Sequence, residues 1–365
     1  MKIINITMHA VNNYGSVLQT LATQHIFERL GCEVETLDYI QDMLQMNSVI
    51  KILKNGGPGW KIKCKQVILH FMPKSKKTKK TQFDEFRNKY LHISKRRYLS
   101  PQELIKDPPL ADVYCTGSDQ TWNTTLHGVN PAYFLAFVPQ GKKRIAFSAS
   151  FGIQELPQDH IQMAKELLSK YDAISVREES GLKILQQLGI RNAQQVLDPT
   201  LVVDNGFWDK LASDRLYKQD YIFVYQLNAS STFSQYVNSF AKKKNMKVLY
   251  TRSRKNTELE DAIHIENPSP EDVLSLFKYS SYVITDSFHA TVFSLVFHCD
   301  FVDIYPPFFS TRIESLLNLT NLSSRHVTDM NNMNYFDTPI DYDKVDEILE
   351  KEREKTIQFL KKSIS

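Results

Sequence analysis

Four cysteines in 365 residues, none of them spaced as a C-x-x-C pair, leave neither a disulfide framework nor a zinc site to expect. That usage fits the reducing cytoplasm. No apolar run approaches the roughly 20 residues that a membrane span needs. The opening MKIINITMHAVNNYG is too short, and after residue 8 too polar, to read as a secretory leader. NNYGS at 12 to 16 lacks the three glycines of a dinucleotide fingerprint, which argues against a nicotinamide cofactor. GGPG at 56 to 59 follows no strand and reads as a turn. No carboxylate cluster is placed to clamp a cation, so neither a metal nor a resident cofactor is expected.

Acidic residues are missing between Asp42 and Asp84, where Lys51, Lys54, Lys61, Lys63, Lys65, Lys74, Lys76, Lys77, Lys79 and Lys80 fall. Without those ten lysines the formal charge of +4 becomes −6, so the basic character is local. It carries no nucleic-acid-binding motif, and nucleic acid is not an expected partner. The plain reading of Lys51–Lys80 is a solvated loop. Its lysines are interleaved with VIKIL, Trp60 and KQVILHFM, a composition that also suits contact with anionic lipid headgroups. No pattern specifies an oligomer.

What is present is a chain long enough for two ordinary domains, with 42% hydrophobic and 24% charged residues. KIINITMH reads as a strand, SVLQTLATQHIFERLG as a helix closed by Gly31, and CEVETLDY as a strand. That opening predicts a parallel sheet. Residues 42 to about 100 read as an insertion holding one helix, TQFDEFRNKYL. ADVYCTGSD, RIAFSASFG, YDAISVREES and AQQVLDPTLVV are predicted strands, with helices between, and DNGFWDKLASDRLYKQ a linker. A second set follows: strands at YIFVYQLN, KNMKVLYTRS, AIHI, SYVITDS and DFVDIY. Helices are predicted near 231 to 244, at SPEDVLSLFKYS, at HATVFSLVFH, from Arg312, and from about 342 to 362. The predicted class is α/β with parallel sheets in two Rossmann-like domains facing a cleft. Their spans are 1–204 and 205–335, and the helix of 340–365 packs back on the first.

In doubly wound sheets the ligand lies beyond the carboxyl ends of the strands. Here those ends carry VNNYG, CTGSDQTWN, SASFG, SVREE, LDPT, YQLN, YTRSR and TDSFH, where small, amide, hydroxyl and charged residues gather. A polar, anionic ligand is expected. In TDSFHATVFS, His289 opens a buried helix at a strand end. A helix N-terminus attracts anions, and an imidazole there can bind an anion or pass a proton. The plainer reading has Asp286 or Ser287 capping the helix, with His289 a bystander. GSDQTWN at 117 to 123 reads either as a turn or as a sugar site, with a carboxylate, amides and an aromatic platform in one loop. Arg177 at the end of SVREE suits a phosphate or carboxylate. Glu178 and Glu179 fit an ordinary helix start.

NNYGSVLQTLA, TGSDQTWN, SASFG, SVREESGLKIL, VLDPTLVV and TDSFHATVFSLVF resemble, in that order, the motif series of the polysaccharide pyruvyl transferases, from about residue 3 to about residue 320. The resemblance implies a glycosyltransferase-B-like fold. It implies transfer of pyruvate from phosphoenolpyruvate, as co-substrate, to two hydroxyls of a glycan or lipid-linked oligosaccharide in cell-surface polysaccharide biosynthesis. It places His289 at the donor as general acid, and Asp119 is the carboxylate expected to act as base. Some relatives carry arginine two residues before that histidine, where this chain has Ser287. Arg177, Arg252 and Arg312 are therefore the candidate donor-binding arginines, beside Ser287 and His289. Asn13, Tyr14, Gly15, Ser118, Asp119, Gln120, Trp122 and Asn123 are the expected acceptor side. Two alternatives stay open: a nucleotide-sugar-dependent glycosyltransferase of the same fold, and a non-catalytic glycan- or lipid-associated protein. The expected location is the cytoplasm, with peripheral contact at the inner face of the membrane through Lys51–Lys80.

Overall fold

The computed structural model describes residues 1–40, 77–251, 258–306 and 310–365, with the backbone alone for 77–79. Most of Lys51–Lys80, the GGPG turn and Arg252 lie outside the described residues. The chain builds two all-parallel sheets. The first holds β1 (Lys2–Ile6), β2 (Glu33–Tyr39), β3 (Ile93–Tyr98), β4 (Val113–Thr116), β5 (Lys143–Ala149), β6 (Ala173–Val176) and β7 (Gln194–Gln195), in the order β3-β2-β1-β4-β5-β6-β7. The second holds β8 (Tyr221–Tyr225), β9 (Lys247–Thr251), β10 (Ala262–His264), β11 (Tyr282–Thr285) and β12 (Asp300–Asp303), in the order β10-β9-β8-β11-β12. Strand order reverses between β1 and β4 and again between β8 and β11. These are the two topological switch points, where a crevice opens beyond the strand ends.

Local chemistry sets the elements around them. α1 (Tyr14–Arg29) starts where the Asn13 side chain accepts the Ser16 N–H, and it ends before Gly31 at φ 79°. Its buried run from Tyr14 to Gln24 sits between the sheets. α10 (Pro270–Lys278) begins with a capping box between Ser269 and Asp272. α11 (Phe288–Val296) is apolar on all sides and buried, as its sequence requires. A single hydrophobic core joins Val17, Leu18 and Leu21 of α1 to Phe223, Phe277 and Phe293 of the second domain. α13 (Tyr342–Ile364) spans both domains. Its Tyr342 hydroxyl donates to the Ser294 carbonyl at 3.3 Å, and its Thr356 hydroxyl accepts the Leu197 N–H at 3.2 Å.

Three segments differ from the sequence reading. β3 lies inside the expected insertion, hidden because Lys95, Arg96 and Arg97 are exposed on an edge strand. The strand expected over AQQVLDPTLVV stops at Gln195, and α7 (Pro199–Val202) follows. Pro199 has no N–H for a ladder, and Asp198 accepts the Thr200 N–H as a helix cap. The expected linker contains α8 (Asn205–Leu211), capped by Asp204 on the Phe207 N–H.

Candidate active site

Both switch points end in the motifs that the sequence singled out. Beyond β4 come Gly117, Ser118 and Asp119; beyond β11 come Asp286, Ser287 and the first turn of α11, with His289. Arg177, just past β6, joins the two. Its side chain is fully buried, with Nη1 donating to Asp198 Oδ2 at 2.7 Å and to Ser118 Oγ at 3.0 Å. Its Nη2 stands 3.5 Å from Asp119 Oδ1, and its Nε 3.9 Å from Glu178 Oε2. Neither Nε nor Nη2 has a hydrogen-bond partner among the described residues.

Asp119 holds an unusual backbone conformation, φ 82°, which costs a non-glycine residue free energy. The Ser16 hydroxyl donates to its Oδ2 at 2.5 Å and the Gln120 N–H to its Oδ1 at 2.8 Å. Burial opposes its charge, but Arg177 first, then His289, Ser16 and Arg312, outweigh that and hold its pKa down at about 2. Glu178 is buried, with Oε1 accepting from the Ser150 hydroxyl and the Phe151 and Gly152 N–H groups, which pins the SASFG turn.

His289 reaches this cluster from the other domain. Its Nε2 lies 3.9 Å from Asp198 Oδ2, buried and with no hydrogen-bond partner among the described residues. Its Nδ1 packs against Gly15 at the start of α1. Burial lowers its pKa to about 4; Arg177 and Arg312 also depress it, while Asp198 and Asp119 oppose. Surrounded by this chain's own residues, His289 is therefore neutral at physiological pH. Phe288 lies under both arginines, its ring centroid 4.6 Å from Arg177 Cζ and 5.7 Å from Arg312 Cζ. Arg312 stands in the first turn of α12 (Thr311–Leu319), and its Nε is buried with no hydrogen-bond partner among the described residues. Burial, with Arg177 next, pulls its pKa down to about 10. Among the described residues no carboxylate forms an ion pair with Arg312.

The family model of polysaccharide pyruvyl transferases matches residues 13–305. The chain belongs to this family. The match runs from Asn13 of the first helix cap past His289, so it takes in the residues that follow β4 and β11. No curated protein matches the chain. Among solved structures, UDP-GlcNAc 2-epimerase from Neisseria meningitidis, bound to UDP-GlcNAc, is 10% identical with a TM-score of 0.54, covering 99% of this chain and all of that one. An alpha-glucosyltransferase in complex with UDP is 10% identical with a TM-score of 0.50, covering 98% of this chain and 94% of that one. At such identity the likeness is one of fold: two parallel-sheet domains of the glycosyltransferase-B type.

In this pyruvyl transferase family member, the fold brings together His289, Arg177, Arg312, Asp119, Ser118 and Gly15. The side chains of other expected site residues make contacts of their own. Trp122 is fully buried, its indole N–H donating 3.2 Å to the Tyr133 carbonyl and its ring packed on Phe134 and Phe151. It offers no face to a sugar, and the platform reading is corrected: an indole this large is more stable in the core. Asn123 is buried as the cap of a short helix, α4 (Thr124–His127). Its Nδ2 donates to Gln120 Oε1 at 2.6 Å, which leaves Gln120 half-buried beside it. Tyr14 is buried, its hydroxyl donating across the domain boundary to the Pro268 carbonyl. Ser287 occupies the N-cap position of α11 without a side-chain cap.

The sequence reading missed Asp198, Glu178, Ser16 and Phe288. Asp198 stood in a quoted motif, and a carboxylate before proline at a strand end was its only signal. Among the described residues no group of three His, Cys, Asp or Glu side chains is placed to hold a metal ion. A groove of about 750 Å³, lined by Leu21, His25, Tyr90, Phe207 and Leu211 among others, lies elsewhere. It starts roughly 9 Å along α1 from Gly15, at the rise of a helix. No helix among the described residues is long and apolar enough to cross a membrane.

Proposed function

We propose that the chain transfers pyruvate from phosphoenolpyruvate to two hydroxyls of a glycan, forming a ketal and releasing phosphate. The observation that carries this reading is the set of buried N–H groups with no hydrogen-bond partner among the described residues, Arg177 Nε and Nη2 and Arg312 Nε, on two guanidinium groups that share the Phe288 ring beside His289 at a helix N-terminus. Buried N–H groups left without an acceptor are costly, and the oxygens of a small dianion or trianion relieve that cost. Phosphoenolpyruvate carries a phosphate and a carboxylate on three carbons and matches such a site.

The reaction begins when a proton adds to the methylene carbon. The electron pair of the carbon–carbon double bond forms the new C–H bond, and the central carbon becomes electrophilic. One acceptor hydroxyl adds there and loses its proton. Phosphate then leaves with the electrons of its C–O bond, and the second hydroxyl adds and loses its proton. Of the two hydroxyl protons, one balances that taken by the methyl group and the other leaves with phosphate or water.

His289 is the residue for proton delivery. Neutral beside this chain's residues alone, it is drawn toward its charged form by donor anions, so the acid is generated with the substrate. Asp119, held strongly ionised by Arg177, is a weak base. Its contribution is to orient the Ser16 hydroxyl and offset positive charge. The acceptor approaches from the Gly117–Gln120 turn.

The test is phosphate release from phosphoenolpyruvate with and without candidate glycans. Release that depends on the glycan and is lost in His289→Ala supports the reading. Thermal stabilisation by UDP, with none by phosphoenolpyruvate, points instead to a nucleotide-sugar glycosyltransferase.

A further inference from the structure

We propose that Asp198 is the positioning residue of His289: across the domain boundary it holds the Nε2–H form of the imidazole and leaves Nδ1, the nitrogen against Gly15, to meet the donor. The proposal rests on the phosphoenolpyruvate reading for the identity of the donor. The tautomer itself is a property of the chain alone.

Asp198 is fully buried and rigidly held. Its Oδ1 accepts the Thr200 N–H at 3.0 Å and the Thr200 hydroxyl at 2.5 Å. Its Oδ2 accepts from Arg177 at 2.7 Å and from the Ser118 hydroxyl at 2.8 Å, and this same oxygen faces His289 Nε2 at 3.9 Å. Burial opposes the charge on Asp198, but Arg177 and His289 outweigh it and keep the pKa below the usual carboxylate value. An ionised carboxylate only accepts hydrogen bonds, so the nitrogen facing it is the one that carries hydrogen. A side-chain shift of about 1 Å turns the 3.9 Å contact into a hydrogen bond.

The opposite nitrogen has different neighbours. Gly15 has no side chain, and a β-carbon built there lies 2.1 Å from Nδ1. The first turn of α1, with N–H groups free of helical partners, begins at this point. An anion drawn to that turn and to the first turn of α11 meets Nδ1. The charged groups around the ring are Asp198 and Asp119, which favour its protonation, and Arg177 and Arg312, which oppose it. Asp198 thus also ties the imidazole of one domain to the arginine of the other through one oxygen atom.

Long-range proton–nitrogen spectra of the chain labelled with 15N-histidine, with His289 assigned by its loss in His289→Gln, test this directly. The expected result is an Nε2–H tautomer without any ligand. In Asp198→Asn the Nδ1–H form gains population, and kcat falls at least about tenfold while KM for phosphoenolpyruvate stays within about threefold. An Nδ1–H tautomer in the unmodified chain, or a tautomer unchanged by Asp198→Asn, overturns the proposal. The first of these is read without any variant, so it holds even where Asp198→Asn, having stripped Arg177 of its closest partner, fails to fold. An Nε2–H tautomer in a protein that does not turn over phosphoenolpyruvate supports the pair and removes the donor reading.

Discussion

A β-carbon built on Gly15 stands 2.1 Å from His289 Nδ1 and 2.4 Å from its Cγ. The first helix of one domain and the imidazole of the other meet only because residue 15 has no side chain. Gly15→Ala must push the ring out of its place, away from the arginines. The expected outcome is a folded protein with glycan-dependent phosphate release reduced at least 100-fold, at the scale a 1 Å misplacement costs, about 10². Circular dichroism checks the fold. Activity within threefold of the parent contradicts this account of the site.

Arg312 has no acidic partner among the described residues and faces Phe288 beside Arg177. Arg312→Ala is expected to raise KM for phosphoenolpyruvate by about tenfold or more, the scale of one lost charge-assisted contact, with little loss of stability. Ser287 sits at the N-cap of α11, one residue from Phe288. Adding Ser287→Arg to that variant returns a guanidinium to the same helix start, and part of the affinity should return. Thermal stabilisation by inorganic phosphate gives a readout independent of turnover. Equal stabilisation in the parent and in Arg312→Ala excludes an anion-binding role for Arg312.

The depressed pKa of His289 makes a prediction about stability and pH. Its value is about 4 in the fold and 6.5 unfolded, so the unfolded chain takes up the proton first as pH falls. The stability contribution is present above pH 6.5 and is lost progressively down to about pH 4, on the order of 3 kcal/mol at full extent. His289→Gln should flatten the urea-unfolding free energy across that window. A slope unchanged by the substitution places the acid sensitivity in other groups.

Trp122 tests the corrected acceptor loop. Its indole fills a pocket among Phe134, Phe151 and Tyr171. Trp122→Ala is expected to cost roughly 3–5 kcal/mol of stability, as for other large core truncations. Trp122→Phe should keep the apparent KM for the glycan near that of the parent. A glycan KM raised tenfold in a stably folded Trp122→Phe would reinstate the aromatic platform.

Much of the fold was legible because its signals are local. β11 and α11 show as an apolar run, a polar break and a second apolar run, and Ser269-Pro270 with Asp272 spells out a helix start. β3 was not legible, because an edge strand with three exposed basic residues has no apolar alternation to detect. α8 was missed because seven residues are too few for a helical period to stand out. Trp122 was misread for a related reason: composition names an aromatic residue in a polar loop, but which way its ring turns depends on the volume beneath it.

Two α/β units, the gathering of polar residues at the strand ends, and the presence of His289, Arg177 and Asp119 there are all readable along the chain. Those follow from hydrophobic periodicity and from the rule that parallel strands present their carboxyl ends to a ligand. The tertiary structure decided which of them meet. Asp198 and His289 are ninety-one residues apart, and Gly15 and His289 far more, so their contacts arise only when α1, α7 and α11 pack against one another between the two sheets. The same packing takes the Arg177 side chain out of water and leaves Arg312 and His289 only partly exposed.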